Sequence, residues 1–461
     1  MNGLKAYQNT FGFFLLVAII VLISYFKIIW FLILLISVLI FFYAVSLVFK
    51  TSVFAIKSSS DEIFIKKEQI NQQIISRLPK VTVLLPLYKE ETVVSSLIKN
   101  IQAQNYPTSK LDIKLLLEKD DVETIKQVQR DILPASFETL ILDSVPKTKP
   151  AALQAGLIKA RGEILVVYDA EDRPAKDQIL KAATALQTAD KDIACLQSVL
   201  RFSNVRESLL AKFFRAEYIN HFGLYLPYFV KANLVIPLGG TSNFFRVDVL
   251  KELGGWDPNN VTEDADLGVR LARAGYKVKM LNSVTAEEPN TNLKNWIRQR
   301  SRWIKGYFQT WVSHTKSLKE LYKDLGLHRF LAFHIVFGLG PIFSLVNPIF
   351  WFMTAWYFVA RPIFIESLFP APLFYLALIC TIGNIAFIVI AMSACMKEKE
   401  YEKVIWMLFV PIYWFLISVG AWYGFYQLMT KPTYWEKTEH GLSLTRLSKA
   451  SSPVVTSTYR K

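Results

Sequence analysis

The run from Trp296 to Trp303 combines side chains that suit a charged sugar ligand. It holds two indoles, an amide and three guanidinium groups shortly before a long apolar stretch. On a helix, Gln299, Arg302 and Trp303 share one face, because they lie three and four residues apart. An arginine fork matches phosphate oxygens, and an indole can stack on the apolar face of a pyranose. The alternative is a basic helix beside a membrane, with its tryptophans at the lipid interface.

Elements that position such groups are expected upstream, between about Lys80 and Ala286. Short β-branched runs alternate there with helical stretches, which predicts a mostly parallel sheet covered on both faces by helices. In such a sheet the ligand lies at the carboxyl ends of the strands. The predicted strands are Val81 to Leu87, Ile113 to Leu117, Thr139 to Leu142, Glu163 to Tyr168 and Ile193 to Val199.

Three of these predicted strands are followed by carboxylates that would meet at one edge of the sheet. The clusters lie within Tyr88 to Glu91, Glu118 to Asp121 and Asp169 to Asp172. Such carboxylates repel one another unless a cation joins them, and hard oxygen ligands suit magnesium or manganese. The pattern therefore predicts a divalent metal in the crevice. The alternative is that each cluster is an ordinary acidic cap at a helix start.

Two further segments offer a phosphate contact and a base. Lys149 precedes an apolar helix predicted over Ala151 to Ala160, so a diphosphate could meet a helix N-terminus and an ammonium together. Thr262 is predicted to cap another helix, with Asp264 projecting into the crevice as general base for an acceptor hydroxyl. The alternatives are a solvated loop lysine and a plain capping segment. No phosphate loop or dinucleotide fingerprint is visible, which argues against an ATPase or a dinucleotide-dependent enzyme.

Long apolar stretches flank this middle region, and 52% of the 461 residues are hydrophobic, a high share for a soluble protein. Phe11 to Phe49 is long enough for two membrane spans. The Lys- and Arg-rich region after them, and the basic tail after Thr430, favour the cytoplasmic side. Three C-terminal crossings would leave the tail outside, so one segment is expected to be interfacial or re-entrant. The candidate C-terminal spans are Phe330 to Val359, Pro372 to Ala394 and Val404 to Leu428.

We therefore expect four regions: residues 1–56 with two transmembrane helices, 57–325 with the catalytic domain, 326–430 with further transmembrane or interfacial helices, and 431–461 as a basic cytoplasmic tail. The net charge of +15 is then explained by an anionic membrane face or a charged substrate, and nucleic acid is not an expected partner. Cys195, Cys380 and Cys395 show no paired or metal-ligand spacing, which argues against disulfides or a zinc site.

Five motifs in order along the chain resemble those of the membrane-embedded family 2 glycosyltransferases, which include cellulose, mannan and hyaluronan synthases. The resemblance covers nearly the whole chain. It implies a GT-A type, Rossmann-like mixed sheet in an α/β domain inserted between α-helical transmembrane segments. The motifs are Pro86-Leu87-Tyr88-Lys89-Glu90, the acidic turn Glu118 to Asp121, Asp169-Ala170-Glu171, Thr262-Glu263-Asp264 and Gln299-Arg300-Ser301-Arg302-Trp303.

The resemblance also implies roles for individual residues. Two departures from the family pattern concern Glu171, which stands where the family has Asp, and the acidic turn, whose carboxylates are shifted. The implied catalytic base is Asp264. The implied metal ligands are Asp169 and Glu171, and the implied acceptor contacts are Trp303, Thr262 and Glu263. Among the implied donor contacts, Tyr88 and Glu90 would border the nucleotide base, and Lys149 and Arg302 would bind the diphosphate. The full set of donor contacts is Pro86, Tyr88, Glu90, Glu118, Asp120, Lys149, Asp169, Gln299, Arg300 and Arg302.

The implied function is inverting transfer of a hexose from a nucleoside diphosphate sugar, of the UDP-glucose or GDP-mannose type, with Mg²⁺ or Mn²⁺ as cofactor. The product would be a growing β-linked polysaccharide, made processively and exported, with accessory export proteins as candidate partners. Transfer of one sugar to a lipid acceptor is the alternative, and a non-catalytic sugar-binding scaffold is a third reading. The expected location is the inner or plasma membrane, as a multi-pass protein with a cytoplasmic catalytic domain. The segment Tyr434 to Gly441 resembles tails of bacterial members.

Overall fold

The computed structural model describes residues 28–54, 77–202, 208–397 and 399–436. The first of the two predicted N-terminal spans and nearly all of the basic tail lie outside these residues. The described residues fall into two compact units. One comprises those within 1–55 and 342–389, and the other comprises those within 56–341 and 390–461.

The larger unit is built on an eight-stranded sheet of order β3-β2-β1-β4-β7-β6-β8-β5. The pairs β1–β2, β1–β4, β2–β3 and β6–β8 are parallel, whereas β7 runs antiparallel to both of its neighbours and β5 antiparallel to β8. The strands are β1 (Val81–Leu87), β2 (Leu111–Glu118), β3 (Phe137–Leu142), β4 (Ile164–Val167), β5 (Arg173–Pro174), β6 (Ile193–Phe202), β7 (Asn243–Arg246) and β8 (Lys277–Glu287).

Apolar strands and amphipathic helices together form the core of this unit. β2 and β4 are buried along their whole length, as expected where helices cover both faces of a parallel sheet. The α-helices of the described ranges are α1 (Ile28–Thr51), α2 (Val94–Gln102), α3 (Val122–Arg130), α4 (Lys149–Ile158), α5 (Gln178–Thr188), α6 (Leu209–Asn220), α7 (Leu226–Lys231), α8 (Val247–Glu252), α9 (Glu263–Arg273), α10 (Leu293–His314), α11 (Leu318–Phe333), α12 (Gly340–Ala360), α13 (Ile363–Leu368), α14 (Ala371–Lys397), α15 (Tyr401–Val404) and α16 (Val410–Thr430).

The sequence predicts this sheet well but not completely. The α/β class with a mixed sheet is confirmed, and β1, β2, β3, β4 and β6 overlap the five predicted strands. The sequence analysis placed no strand at β5, β7 or β8. Because β7 lies between β4 and β6 and opposes both, the sheet is less parallel than predicted.

Helix α10 carries the run from Trp296 to Trp303 and packs closely on α16 within the larger unit. A Cβ atom at Gly420 would lie 3.1 Å from the Arg300 side chain, and one at Gly424 would lie 2.5 Å from the Ser301 carbonyl oxygen. Glycines at these two points therefore let the helix backbones approach. The Trp296 side chain is fully buried, so this residue does not fit the alternative of a lipid-facing anchor.

The smaller unit contains apolar helical segments joined by side-chain contacts. The Tyr43 hydroxyl donates to Asn384 Oδ1 at 2.5 Å, and the ring of Tyr43 lies edge-on to that of Phe343. Across the described ranges, four helical stretches are long and apolar enough to cross a membrane: 28–51, 318–360, 371–397 and 401–430.

Candidate active site

Two strand ends form the first half of the site. The Lys89 amide donates to Asp121 Oδ2 at 2.5 Å, and Asp121 also accepts from the Thr124 amide at the start of α3. Asp121 is therefore a helix cap, as predicted by the alternative that each acidic cluster caps a helix start. Glu118, which is buried, accepts from the Ser144 amide at 3.1 Å.

Asp120 is the exposed carboxylate of this turn. It lies 2.8 Å from Lys147 Nζ and 3.5 Å from the Tyr88 hydroxyl. The hydrogen bond from Lys147 lowers the pKa of Asp120 below its ordinary value. Glu90 is buried beside them, with its amide donating to Thr124 Oγ1, and Pro86 lies within β1. The structure thus brings the predicted residues of the first two motifs to one sheet edge.

The turn after β4 holds the second group of carboxylates. Asp172 is almost fully buried, and its Oδ2 accepts from the Asp169 amide at 2.7 Å and from the Thr241 hydroxyl. These bonds fold the turn so that the Asp169 carboxylate forms an ion pair with Lys149 Nζ. Lys149 is the first residue of α4, which Thr148 caps, and its ammonium also donates to the Gly240 carbonyl at 2.8 Å.

Three charged side chains from separate elements converge at Gly240. A Cβ atom at this position would lie 3.3 Å from Asp264 Oδ2, 3.6 Å from Lys149 Nζ and 3.9 Å from Asp169 Oδ2. Any side chain here would therefore enter the space that these groups share. Burial alone would lower the pKa of Lys149, but Asp169, Glu263 and Asp264 raise it above its ordinary value, so the ammonium stays charged among them.

The first turn of α9 supplies the remaining carboxylates. Burial, together with the neighbouring Asp264, raises the pKa of Glu263 to about 8, and burial also raises that of Asp264. Asp264 Oδ1 accepts from the Ala265 amide at 2.7 Å. Thr262 occupies the N-cap position, but the prediction that its hydroxyl caps the helix is wrong, because the hydroxyl donates to Asn260 Oδ1 instead.

The carboxylates near Asp169 have the chemistry of a divalent metal site. Burial raises the pKa values of Asp172 and Glu287 well above their ordinary range, and Asp169 and Glu171 raise both further. Asp172 Oδ1 is buried with no hydrogen-bond partner among the described residues. A hard cation would offset this repulsion. Protein side chains alone do not complete the site, since the described ranges hold no group of three or more suitable side chains arranged around one point.

The residues of the Gln299 to Trp303 motif on α10 face two different surfaces of the helix. Arg302 Nη1 donates to the Val261 carbonyl at 3.4 Å, and its charge acts on Glu263 and Asp264. Gln299 has a buried amide oxygen that finds no partner within the part of the chain described. Arg300, in contrast, turns away and binds Glu217 through both terminal nitrogens. The structure therefore does not bring Arg300 to the site carboxylates of Asp169, Glu263 and Asp264.

A C-terminal strap, residues 431–436, runs along α10. Lys305 Nζ donates to the Tyr434 carbonyl at 2.6 Å, and Arg298 Nε lies 3.2 Å from Glu436 Oε1. The Arg302 guanidinium stacks 4.5 Å from the centroid of the Trp435 ring. The described start of the tail segment thus contacts the site through Arg302.

Glu287 and Glu217 were missed by the sequence analysis. Glu287 ends β8 and pairs in register with Phe202 at the end of β6. Recognising β8 as a strand would have identified it through the same strand-end rule as the other carboxylates. Glu217 is an isolated acid in the apolar helix α6, a weaker signal that names no partner.

A family model described as "Glycosyl transferase family group 2" matches residues 164–422. These residues run from the first residue of β4 into α16. They include the Asp169, Asp264 and Arg302 motifs and make up more than half of the chain.

Curated relatives are glycosyltransferases by name. The chain is 28% identical over 236 residues to the probable glycosyltransferase YdaM of Bacillus subtilis, covering 50% of this chain and 56% of the relative. It is 24% identical to the beta-monoglucosyldiacylglycerol synthase of a Nostoc species, over 55% of this chain and 54% of that protein. It is 27% identical to glucomannan 4-beta-mannosyltransferase 2 of Arabidopsis thaliana, over 50% and 45%. The matches thus span about half the length of these relatives.

Among solved structures, the mannosyltransferase PcManGT from Pyrobaculum calidifontis, in complex with GDP-Man and Mn²⁺, is 17% identical. The likeness covers 86% of this chain and 99% of that one, with a TM-score of 0.49. A TM-score of this size supports no argument about the fold, which is described by the sheet topology alone. The family match, which covers Asp169, Asp264 and Arg302 and more than half of the chain, shows that this chain belongs to glycosyl transferase family group 2.

Proposed function

We propose that this chain transfers a hexose from a nucleoside diphosphate sugar to an acceptor hydroxyl, with inversion at the anomeric carbon. The observation that carries the proposal is the meeting of Asp264, Lys149 and Asp169 at Gly240. A base, a phosphate-binding cation and a metal-binding carboxylate are the three groups that such a transfer needs. Family membership supports the same reaction class.

Asp264 is the proposed base. One of its oxygens is held by the Ala265 amide, which leaves the other facing the space at Gly240. Its raised pKa makes the carboxylate a better proton acceptor than an ordinary aspartate. As the acceptor oxygen attacks the anomeric carbon, its proton passes to Asp264 and the bond to the diphosphate oxygen breaks. A single displacement of this kind inverts the configuration and needs no covalent intermediate.

Lys149 and Arg302 are the proposed diphosphate contacts. Lys149 combines an ammonium with the N-terminus of α4, where backbone amides and the helix dipole favour an anion. Arg302 lies across the site, between Val261 and Trp435. Both cations would stabilise the charge that grows on the leaving group. Gln299 is proposed to contact the donor or the acceptor through its buried amide.

Asp169 and Glu171 are the proposed ligands of a divalent Mg²⁺ or Mn²⁺ ion. When bound, the ion would neutralise charge on the leaving diphosphate. The raised pKa of neighbouring Asp172 and Glu287 supports a cation here. Tyr88, Glu90 and Asp120 are proposed to face the nucleotide, with Glu118 and Pro86 behind them, because all five lie at or just after the carboxyl ends of β1 and β2.

We propose that Trp303, Thr262 and Glu263 contact the acceptor. The acceptor is either a growing β-linked polysaccharide, exported as it grows, or a lipid. The names of two relatives support different acceptors: a glucomannan mannosyltransferase supports the polysaccharide, and a beta-monoglucosyldiacylglycerol synthase supports the lipid. The four described helical stretches that are able to cross a membrane suit both. We place the catalytic residues, within 57–325, and the tail from 431 on the cytoplasmic side of the cell membrane, where nucleotide sugars are made.

Incubation of membranes containing the full chain with a panel of nucleotide sugars tests this proposal. We expect one uridine or guanosine diphosphate hexose to be consumed in the presence of Mg²⁺ or Mn²⁺, and Asp264→Asn to stop the transfer. A polymeric product supports the polysaccharide, and a single sugar in the solvent-extractable lipid supports the glycolipid. Consumption of no donor by the wild-type protein, with any sugar or metal, would contradict the proposed function.

A further inference from the structure

The Arg300 guanidinium is held on one side by a carboxylate. Its Nη1 donates to Glu217 Oε1 at 2.8 Å and its Nη2 to Glu217 Oε2 at 2.7 Å. The Tyr413 hydroxyl closes the network by donating to Glu217 Oε2 and accepting from Arg300 Nη2 at 3.1 Å. Three helices, α6, α10 and α16, are therefore joined through one arginine. The two-point geometry fixes both the position and the plane of the guanidinium.

Aromatic rings surround the same guanidinium. Its central carbon lies 4.5 Å from the centroid of Trp303, 5.0 Å from that of Trp296 and 5.4 Å from that of Phe214. A cation over an indole face is attracted to it, and the attraction grows when water is excluded. Arg300 is only 7% exposed, so the stack on Trp303 is well shielded. The indole of Trp303 thus gains a fixed partner on one face.

Trp303 also connects this cluster to the reacting groups. Its ring centroid lies 6.4 Å from that of Tyr218, which itself lies 4.0 Å from that of Phe202 at the end of β6. Phe202 pairs in register with Glu287, one of the crevice carboxylates. The ring of Trp303 is therefore linked to the acidic edge of the sheet through the rings of Tyr218 and Phe202.

We propose that Glu217 is a positioning residue, which acts through Arg300 to hold the Trp303 indole in the orientation that receives the acceptor. This inference rests on the proposed function. Without the carboxylate, the buried guanidinium loses its neutralising partner, and a buried cation without one is costly. Arg300 would then leave the aromatic cluster for water, and Trp303 would lose the contact that fixes its ring. The donor contacts at Lys149 and Asp169 lie on other elements, and Arg302 is held separately by the Val261 carbonyl and the Trp435 ring, so these contacts would remain.

The decisive variant is Glu217→Gln, which keeps the shape of the side chain and removes its charge. The full chain in membranes is supplied with the donor that the wild-type protein uses, and product formation is measured across donor concentrations. We expect the maximal rate to fall by about tenfold or more, as for a misplaced substrate contact. The KM for the donor should stay within about twofold of the wild-type value, and Trp303→Ala should give the same pattern.

Asp324→Asn provides a matched control. Asp324 also binds an arginine through two nitrogens, since Arg273 Nε and Nη2 lie 2.9 and 2.8 Å from its Oδ2. If Glu217 were merely structural, Glu217→Gln would lower the melting temperature more than Asp324→Asn, because Arg300 is more deeply buried than Arg273, and neither variant would separate the maximal rate from the donor KM. Tyr413→Phe and Arg300→Lys keep the test decisive if Glu217→Gln does not fold. Each weakens the network, and we expect each to lower the maximal rate at constant donor KM.

The outcomes separate two failures. If the wild-type protein consumes no donor, the proposed function fails and this inference with it. If the wild-type protein transfers sugar but Glu217→Gln keeps a normal maximal rate, or raises the donor KM as much as it lowers the rate, only the role of Glu217 is overturned. A normal rate in both Tyr413→Phe and Arg300→Lys overturns it equally.

Discussion

Charged clusters lie at both ends of the large sheet, and they differ in balance. Near the amino ends of the strands, Asp112 and Glu138 meet Lys114 and Arg161 at distances of 2.5 to 3.1 Å. Burial alone would raise the pKa of Asp112, but hydrogen bonds from Lys114 and Arg161 hold it below its ordinary value. Each carboxylate in this cluster therefore has a cation beside it.

At the carboxyl ends, carboxylates accumulate around fewer cations. Lys149 and Arg302 act on Asp169, Glu263 and Asp264, while Asp172 and Glu287 lie close by. The pKa values of Asp172, Glu263 and Glu287 are raised rather than lowered, because burial and mutual repulsion outweigh the two cations. The comparison teaches that a cluster with balanced charges stabilises the sheet, whereas a cluster with excess negative charge can bind a cation that neutralises it.

Asp264→Asn tests the unbalanced end most strongly. Removal of the base should lower the transfer rate by about a hundredfold or more, while the fold stays intact because asparagine keeps the shape of the side chain. Rates are measured in membranes at saturating donor, and melting temperatures are measured in detergent. A near-normal rate would show that another group accepts the proton.

Asp112→Asn tests the balanced end, with the opposite pattern expected. It removes the more deeply buried of the two carboxylates that neutralise Lys114, since Glu138 is half-exposed, and the loss of a buried partner costs about 1–3 kcal/mol of folding free energy. The melting temperature should fall, and the specific rate of the folded fraction should not. Asp192→Asn is the control, since its pair with Lys277 is exposed and should contribute little. Equal melting temperatures for the two variants would remove the contrast between the ends.

Gly240→Ala sharpens the comparison by adding one methyl group to the unbalanced end. The new Cβ would lie 3.3 Å from Asp264 Oδ2 and 3.6 Å from Lys149 Nζ, so we expect a fall of about tenfold in rate from small displacements. Gly223→Ala is the matched control, because a Cβ there meets nothing within 4 Å. If both variants transfer sugar equally well, the space at Gly240 is not where the reacting groups meet.

Glu263→Gln tests how the stability of the unbalanced end depends on pH. Folding raises the pKa of this carboxyl from 4.5 to about 8, so the folded state holds the proton more tightly than the unfolded state. The wild-type protein should therefore lose stability as pH rises from 4.5 to 8. Glutamine has no proton to lose, so the melting temperature of the variant relative to wild type should rise across that window. Glu252→Gln, at an exposed position on α8, gives the background, and a flat difference for Glu263→Gln would contradict the prediction.

Much of the sheet could be read from the sequence because its central strands are continuous apolar runs. β1 has the predicted bounds, Val81–Leu87. β8 escaped prediction because it mixes Lys277, Lys279 and Asn282 with apolar residues, and β7 because it has only four residues. The antiparallel position of β7 between β4 and β6 depends on long-range pairing, which no local pattern encodes.

The site was predictable where chemistry follows a strand end and less so where it depends on packing. Asp169, Lys149 and Asp264 meet as their motifs suggest. The sequence could not separate Arg300 from Arg302, because both lie in one motif. Only the neighbouring helices decide that one guanidinium faces Glu217 and the other the carboxylates near Val261.

The close approach of α10 and α16 limits how this protein can be cut. A fragment ending before residue 401 would lose α16, which covers Trp296 through Tyr413 and Phe308 through Phe425. It would expose these rings and the groove that receives Gly424 beside Ser301. We therefore expect a fragment that keeps all five motifs but lacks α16 to aggregate in water, so that biochemical work requires the full chain in detergent or lipid from the first purification step.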